Sequence, residues 1–145
     1  MSLAGFTDRG VIPALSRLVA FTQARHAVLV ENIANADVPG YRSKRLDLEP
    51  FQKALGEAME RRDRRPDDGF TLRATRQFGS DADGRLTVEP AAEPPANVMF
   101  YDGTNGRIEQ QMADLSKNAY VNRVAVELLH RKFNGLLKAI RGRSA

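Results

Sequence analysis

No cysteine occurs anywhere in the chain, so neither a disulfide framework nor a thiolate nucleophile or thiolate metal ligand is available to it. Tryptophan is also missing and aromatic residues make up only 7% of the sequence, which argues against a large compact core. The two histidines, His26 and His130, each lack a second histidine three or four positions away, so no helical metal-ligand pair forms and no metal site is expected. Ser2, Ser16, Ser43, Ser80, Ser116 and Ser144 stand in no nucleophile-elbow setting, and no glycine-rich phosphate loop is present. Glu109 and Asp114, five residues apart, do not share a helix face well. Asp81, Asp83 and Gly84 only faintly resemble the start of a calcium loop, and Ala92 stands where the twelfth-position glutamate is required. With no constellation assembled, the reading is of a protein that is not an enzyme and takes no cofactor and no small-molecule substrate.

Long apolar runs are equally scarce. Nothing approaches membrane-spanning length, and the opening MSLAGFTDRG carries Asp8 and Arg9 without an unbroken apolar stretch, which predicts no cleaved secretory signal. Basic residues outnumber acidic ones, giving a net charge of +4. They are dispersed, however, and the cluster Arg61, Arg62, Arg64 and Arg65 is interrupted by Asp63 and followed by Pro66, Asp67 and Asp68, the pattern of a solvated loop. No zinc-finger spacing or aromatic RNA-binding pattern accompanies the charge, so nucleic acid is not expected as a partner.

What the chain has is helical periodicity at both ends. At 145 residues it makes one small unit. Residues 1–10 read as a flexible or partner-ordered arm. Ile12, Leu15, Val19, Thr22, His26, Leu29, Ile33 and Ala36 then recur at spacings of three and four, a heptad-like seam on a helix that opens near Pro13. Leu18, Phe21 and Val28 widen its apolar surface. At the other end, Ile108, Met112, Leu115, Ala119, Asn122, Val126, Leu129, Phe133, Leu136 and Ile140 alternate by four and three. Such a helix is long, on the order of 50 Å from first to last seam residue. It needs an equally long partner, and the only one in the chain is the N-terminal helix. The fold class expected is therefore mainly α, with long N- and C-terminal helices paired as an antiparallel-type coiled coil. Asn122 is either a register-setting polar residue facing Thr22 or His26, or a position where the seam is wet; the wet seam is the slightly favoured reading. Thr104 or Asn105 is nominated to cap the C-terminal helix, and Lys138 and Arg141 suit its negative end.

Between the helices the pattern weakens. Residues 42–101 read as a polar bridge, Arg42 to Arg45, leading into Leu46 to Glu60, where a short amphipathic helix opens at Pro50 and ends around Arg61 with Phe51, Leu55 and Met59 on one face, then an irregular or weakly β segment. Phe70, Leu72 and Ala74 alternate with polar residues, as do Leu86 and Val88, so two short strands are expected there. Pro90, Pro94 and Pro95 predict an extended linker, and residues 66–99 are expected to be the least regular and most exposed part.

The organising stretch is residues 25–41, RHAVLVENIANADVPGY, where a helix stops and the backbone turns. Pro39 moves Val38 out of the α region, and Gly40 supplies the positive φ of a type II turn over Val38-Pro39-Gly40-Tyr41, so the helix ends between Asn35 and Val38. NIANADVPGY, preceded by RHAVLVE and followed by RSKRLDLEPFQKAL, resembles the N-terminal signature of the bacterial flagellar basal-body rod family, in its proximal-rod branch. The likeness covers roughly residues 15–60 and 102–143, with the middle unmatched. It makes Asn32, Ile33, Asn35, Asp37, Pro39, Gly40 and Tyr41 the assembly signature. It implies a structural subunit of a tube around an export channel, partnered by further copies of itself, other rod proteins, the membrane-ring adaptor and the export gate. By the same resemblance the protein resides in the basal body, leaves the cell without a cleaved signal peptide, and has terminal arms that fold on assembly. A rival reading from the residues alone is a cytoplasmic basic helical hairpin that binds nucleic acid or a partner helix.

Overall fold

The computed structural model describes residues 11–65, 69–93 and 103–142, with the side chains of 103–106 left aside. The expectations for the arm at 1–10, for Pro66 to Asp68 and for the linker beyond residue 93 lie outside the described residues. Three helices occur among those residues: α1 (Val11–Ala34), α2 (Leu48–Arg64) and α3 (Gly103–Gly142). Short strands sit between them, β1 (Lys44–Arg45), β2 (Phe78–Ser80), β3 (Leu86–Val88) and β4 (Ala91–Ala92). α1 and α3 lie side by side along their length and make the most extensive packing of any two elements. Their direction is fixed by side-chain pairs: Asn32 reaches Gln111 and Thr22 reaches Asn122, so residue numbers fall on one helix as they rise on the other. The pair is antiparallel. Because α3 has 40 residues and α1 has 24, the last turns of α3 run past Val11.

The opposite side of α1 carries a second, separate core. Ala14, Phe21 and Val28, spaced seven apart, pack with Phe51, Ala54, Leu55 and Ala58 of α2 and with Leu46, Phe70, Leu72 and Phe78. Phe21 and Phe51 are fully buried and stack at 3.9 Å between ring centroids, 7° from parallel. Phe78 meets both rings edge-on, at 6.0 Å and 5.3 Å. Few aromatics suffice because three of them converge on one point. α1 is thus a helix with two buried faces, which is why apolar residues spread so widely around it.

The middle segment holds a short helix and short strands, as expected, but the first strand of its hairpin lies elsewhere. Phe70 and Leu72 do alternate inward and outward, each 6% exposed, but they form no strand. Their run ends in a Thr75 turn, where the Thr75 amide donates to the Phe78 carbonyl at 2.8 Å and the Thr75 hydroxyl accepts from the amides of Gln77 and Phe78. The strand that pairs with Leu86–Val88 is Phe78–Ser80, antiparallel, joined through a turn at Gly84 (φ 73°). Gly79 hid this strand from propensity reading. A two-stranded ribbon is marginal alone; here Phe78, Leu86 and Val88 set it on the core, and the Arg17 guanidinium donates to the Gly84 carbonyl at its tip. Residues 91–92 pair with Lys44–Arg45, so the described residues directly after Pro90 are tied to β1.

α2 begins two residues ahead of Pro50, which falls in the first turn where its missing N–H is harmless. Asp47 precedes it with extended backbone and makes no side-chain cap. Its amide donates to Gln77 Oε1 at 2.9 Å while its carboxylate accepts from Gln77 Nε2 at 3.0 Å, fastening the helix start to the hairpin. α3 begins at Gly103, so Thr104 and Asn105 lie inside it and not at a cap position.

Candidate functional site

The elbow after α1 is built around one amide. Asn32, 3% exposed in the last turn of α1, uses all four of its hydrogen-bonding positions. Its Nδ2 donates to the Lys44 carbonyl at 2.7 Å and to Gln111 Oε1 at 3.3 Å, and its Oδ1 accepts from the Lys44 amide at 2.9 Å and the Tyr41 hydroxyl at 3.1 Å. One side chain therefore joins the end of α1, the returning strand and the start of α3. Asn35 does something different, donating to the Glu31 carbonyl at 2.8 Å to close the helix end. The chain then reverses by successive turns, ending with the Tyr41 amide on the Val38 carbonyl at 3.1 Å and Gly40 at φ 80°. This is the type II geometry that Pro39-Gly40 prescribes.

The signature residues divide by position. Asn32 is buried, Ile33, Asn35 and Tyr41 are half-buried, and Asp37, Pro39 and Gly40 stand exposed at the tip beside Val38, which is 50% exposed. A cleft of about 290 Å³ opens between the tip and α3, bordered by Ile33, Val38, Tyr41, Glu93, Arg107 and Ile108. Its border is polar and apolar in alternation. Elsewhere on the elbow Glu31 and Lys44 form an ion pair at 2.7 Å, with both side chains 43% exposed. That contact raises the Lys44 pKa above its ordinary value, first through the hydrogen bond to Glu31 and then through its charge. Tyr41 is also raised, by burial first and then by the Glu31 charge. Among the described residues no group of His, Cys, Asp or Glu is placed to hold a metal ion.

Along the helix pair, the interface differs from the predicted seam at every second position. Leu15, Thr22 and Leu29 of α1 are buried, and Ile108, Leu115, Asn122, Leu129 and Leu136 of α3 are half-buried. The alternating positions are displaced by one residue. Asn118 (0% exposed) and Ala125 (1%) are buried where Ala119 and Val126 were expected, and Gln111 faces Asn32 where Met112 was expected. Met112 (54%), Val126 (43%), Phe133 (41%) and Ile140 (45%) lie outward, as does Ala119. On α1 the displacement is the same: Arg25 and Asn32 point inward, while His26 is exposed and Val19 and Ile33 are half-buried. The physical reason is that apolar periodicity selects the greasier of two adjacent residues, whereas this seam turns several polar side chains inward, each with at least one hydrogen-bond partner. Arg25 donates from Nε to the Leu46 carbonyl at 2.8 Å and sits 3.7 Å from Asp114. Asn122 is not in a wet gap; its Nδ2 donates to Thr22 Oγ1 at 2.7 Å. Asn118, Gln111 and Lys44 were missed by sequence reading, although Gln111 and Asn118, like Arg25 and Asn32, are seven apart beside an apolar stripe.

No protein-family model matches the chain. It is 30% identical to the flagellar basal body rod protein FlgB of Aeromonas hydrophila over 122 residues, 81% of this chain and 83% of the relative. The chain belongs to the flagellar basal-body rod protein family. A second rod protein FlgB, from Bacillus subtilis (strain 168), is 27% identical over 142 residues, 98% of both chains. That alignment runs through the hairpin as well as the termini, so membership of the rod family extends to the segment whose sequence pattern was weakest.

Proposed function

We propose that the protein is a structural subunit of the proximal part of the flagellar rod, built into a tube around the export channel by side-by-side packing of its α1–α3 pairs. Its family membership supports the rod, and one observation carries the mode of assembly. After α1 is paired, α3 keeps an outward apolar stripe, Met112, Ala119, Val126, Phe133 and Ile140, at strict seven-residue spacing. Tyr120, Val124, Leu128 and Leu137 lie exposed beside it. A stripe of this kind on a small protein is a contact surface, not a solvated face. Over 28 residues it runs about 42 Å, long enough for lateral knobs-into-holes contact with a neighbouring helix pair. The exposed tip Asp37-Val38-Pro39-Gly40 is the second contact, placed at the end of the pair where an adjacent subunit would abut. Neighbours in this reading are further copies, other rod proteins, the membrane-ring adaptor and the export gate, reached by export without signal cleavage.

The test is complementation of a strain lacking the gene. Phe133→Glu, with an exposed ring removed from an outward stripe, is expected to leave helicity and export intact while motility and intact basal bodies are lost. Motility retained at the level of the unaltered gene by Phe133→Glu combined with Val126→Glu would refute lateral packing through this stripe.

A further inference from the structure

The interior of the α1–α3 pair holds a polar node that neither packing nor the signature explains. Asn118 is fully buried; its Nδ2 donates at 2.8 Å to the backbone carbonyl of Thr22, 96 residues away in sequence. Thr22, also fully buried, turns its hydroxyl back on its own helix, within 2.9 Å of the Leu18 and Val19 carbonyls. With its proton so used, Thr22 Oγ1 is an acceptor, and Asn122 Nδ2 fills it at 2.7 Å. The arrangement is incomplete. Asn118 Oδ1 is buried without a partner, so the residue is kept at a cost to stability. A buried amide retained at such a cost in a helix seam is the mark of a register device.

The geometry points to Thr22, Asn118 and Asn122 as a lock that allows α3 only one axial position on α1. The remaining seam is permissive. Leu15 and Leu29 stand seven residues to either side of Thr22, and Leu115 and Leu129 repeat on α3 at twice that spacing, so apolar contacts alone tolerate a slip of one heptad. Such a slip sets Asn122 against a leucine, which offers no side-chain acceptor in place of Thr22 Oγ1. Two further polar contacts between the helices discriminate less: Arg25 to Asp114 is 3.7 Å long with Asp114 one-third exposed, and Asn32 to Gln111 is 3.3 Å. One register fixes how far α3 projects beyond Val11 and where its outer stripe stands relative to the elbow. That consequence for assembly rests on the rod reading; the register itself does not.

Because the chain has no cysteine, spin labels can be placed at will. His26→Cys and Lys138→Cys put labels on exposed positions of the two helices, about 35 Å apart along the axis. With the node intact, double electron–electron resonance on the full chain is expected to give one narrow distance population. With Thr22→Val, Asn118→Leu and Asn122→Leu, a second population displaced by about 10 Å, one heptad, is expected, with helicity by circular dichroism unchanged. A single unshifted distance in the apolar variant overturns the lock, as do several distances in the chain with the node intact. Loss of helicity in the variant also overturns it, since the node is then a requirement for folding and not for register. None of these outcomes bears on motility, so the lock can fail while the rod reading stands.

Discussion

Asn32 and Lys44 exchange a reciprocal pair of hydrogen bonds, the carboxamide donating to the Lys44 carbonyl at 2.7 Å and accepting from the Lys44 amide at 2.9 Å. The side chain imitates a neighbouring strand and satisfies backbone groups that have no other route to a partner at this corner. Asn32→Ala removes both bonds and those to Tyr41 and Gln111, leaving buried polar groups unpaired. The expected loss is about 2–3 kcal/mol, toward the upper end of single hydrogen-bonding losses because more than one group is orphaned. Chemical denaturation of the purified chain measures it, and a loss below that of Asn35→Ala, where only one bond to Glu31 goes, contradicts the ranking.

Gly40 is required for its backbone and not for its size. A Cβ at this position would meet nothing within 4 Å, yet its φ is +80°. Gly40→Ala is therefore expected to cost about 1–2 kcal/mol through strain alone, and Gly40→Asn distinctly less because asparagine tolerates the left-handed region. Equal losses for the two substitutions in thermal denaturation would point to a steric cause that the open space around Gly40 denies.

The terminal helices and the turn were legible because they follow from strong local rules: heptad spacing over long stretches, and a Pro-Gly pair that admits one turn type. Asn32 was legible as important but not as a strand mimic, since its partners at 41, 44 and 111 are brought together only by the return of the chain. The seam was misphased for an energetic reason. Between Asn118 and Ala119, or Gln111 and Met112, hydropathy prefers the second, whereas an amide with a partner across the interface occupies the first. The hairpin was misplaced because Gly79 and Ser80 lack β propensity, and a turn made by the Thr75 hydroxyl leaves no signal in spacing.

The two apolar populations of the chain should respond oppositely to truncation. Phe21 is fully buried and stacked on Phe51, so Phe21→Ala opens a cavity in the convergent aromatic core and is expected to cost about 3–5 kcal/mol. Phe133, 41% exposed on the outer stripe, makes no such core contact, and Phe133→Ala is expected to change the stability of the free chain by less than about 1 kcal/mol. Denaturation midpoints for the pair decide it. Comparable losses would mean that the outer stripe is already covered in the free chain, and lateral packing through it would lose its basis.

Alkali should open the elbow before it unfolds the core. Lys44 is held above its ordinary value of 10.5 by Glu31, and Tyr41 above 10.0 by burial and then by the Glu31 charge. A group whose folded pKa is raised contributes stability that is fully present below its unfolded pKa and is lost as pH climbs through the folded one. Both contributions are therefore complete at neutral pH and fade above about pH 10, in the same direction. Deprotonated Tyr41 also loses the proton it donates to Asn32 Oδ1, and places a second negative charge beside Glu31. Absorbance titration of the phenolate, with Tyr101 and Tyr120 both replaced by phenylalanine so that Tyr41 alone reports, is expected to show the Tyr41 transition above pH 10. Glu31→Gln should bring that transition downward, because it removes the charge and leaves a neutral amide of the same size in its place. A Tyr41 midpoint that does not move on this substitution would mean that burial alone sets it, and the Glu31–Lys44–Tyr41 grouping would not act as an electrostatic unit.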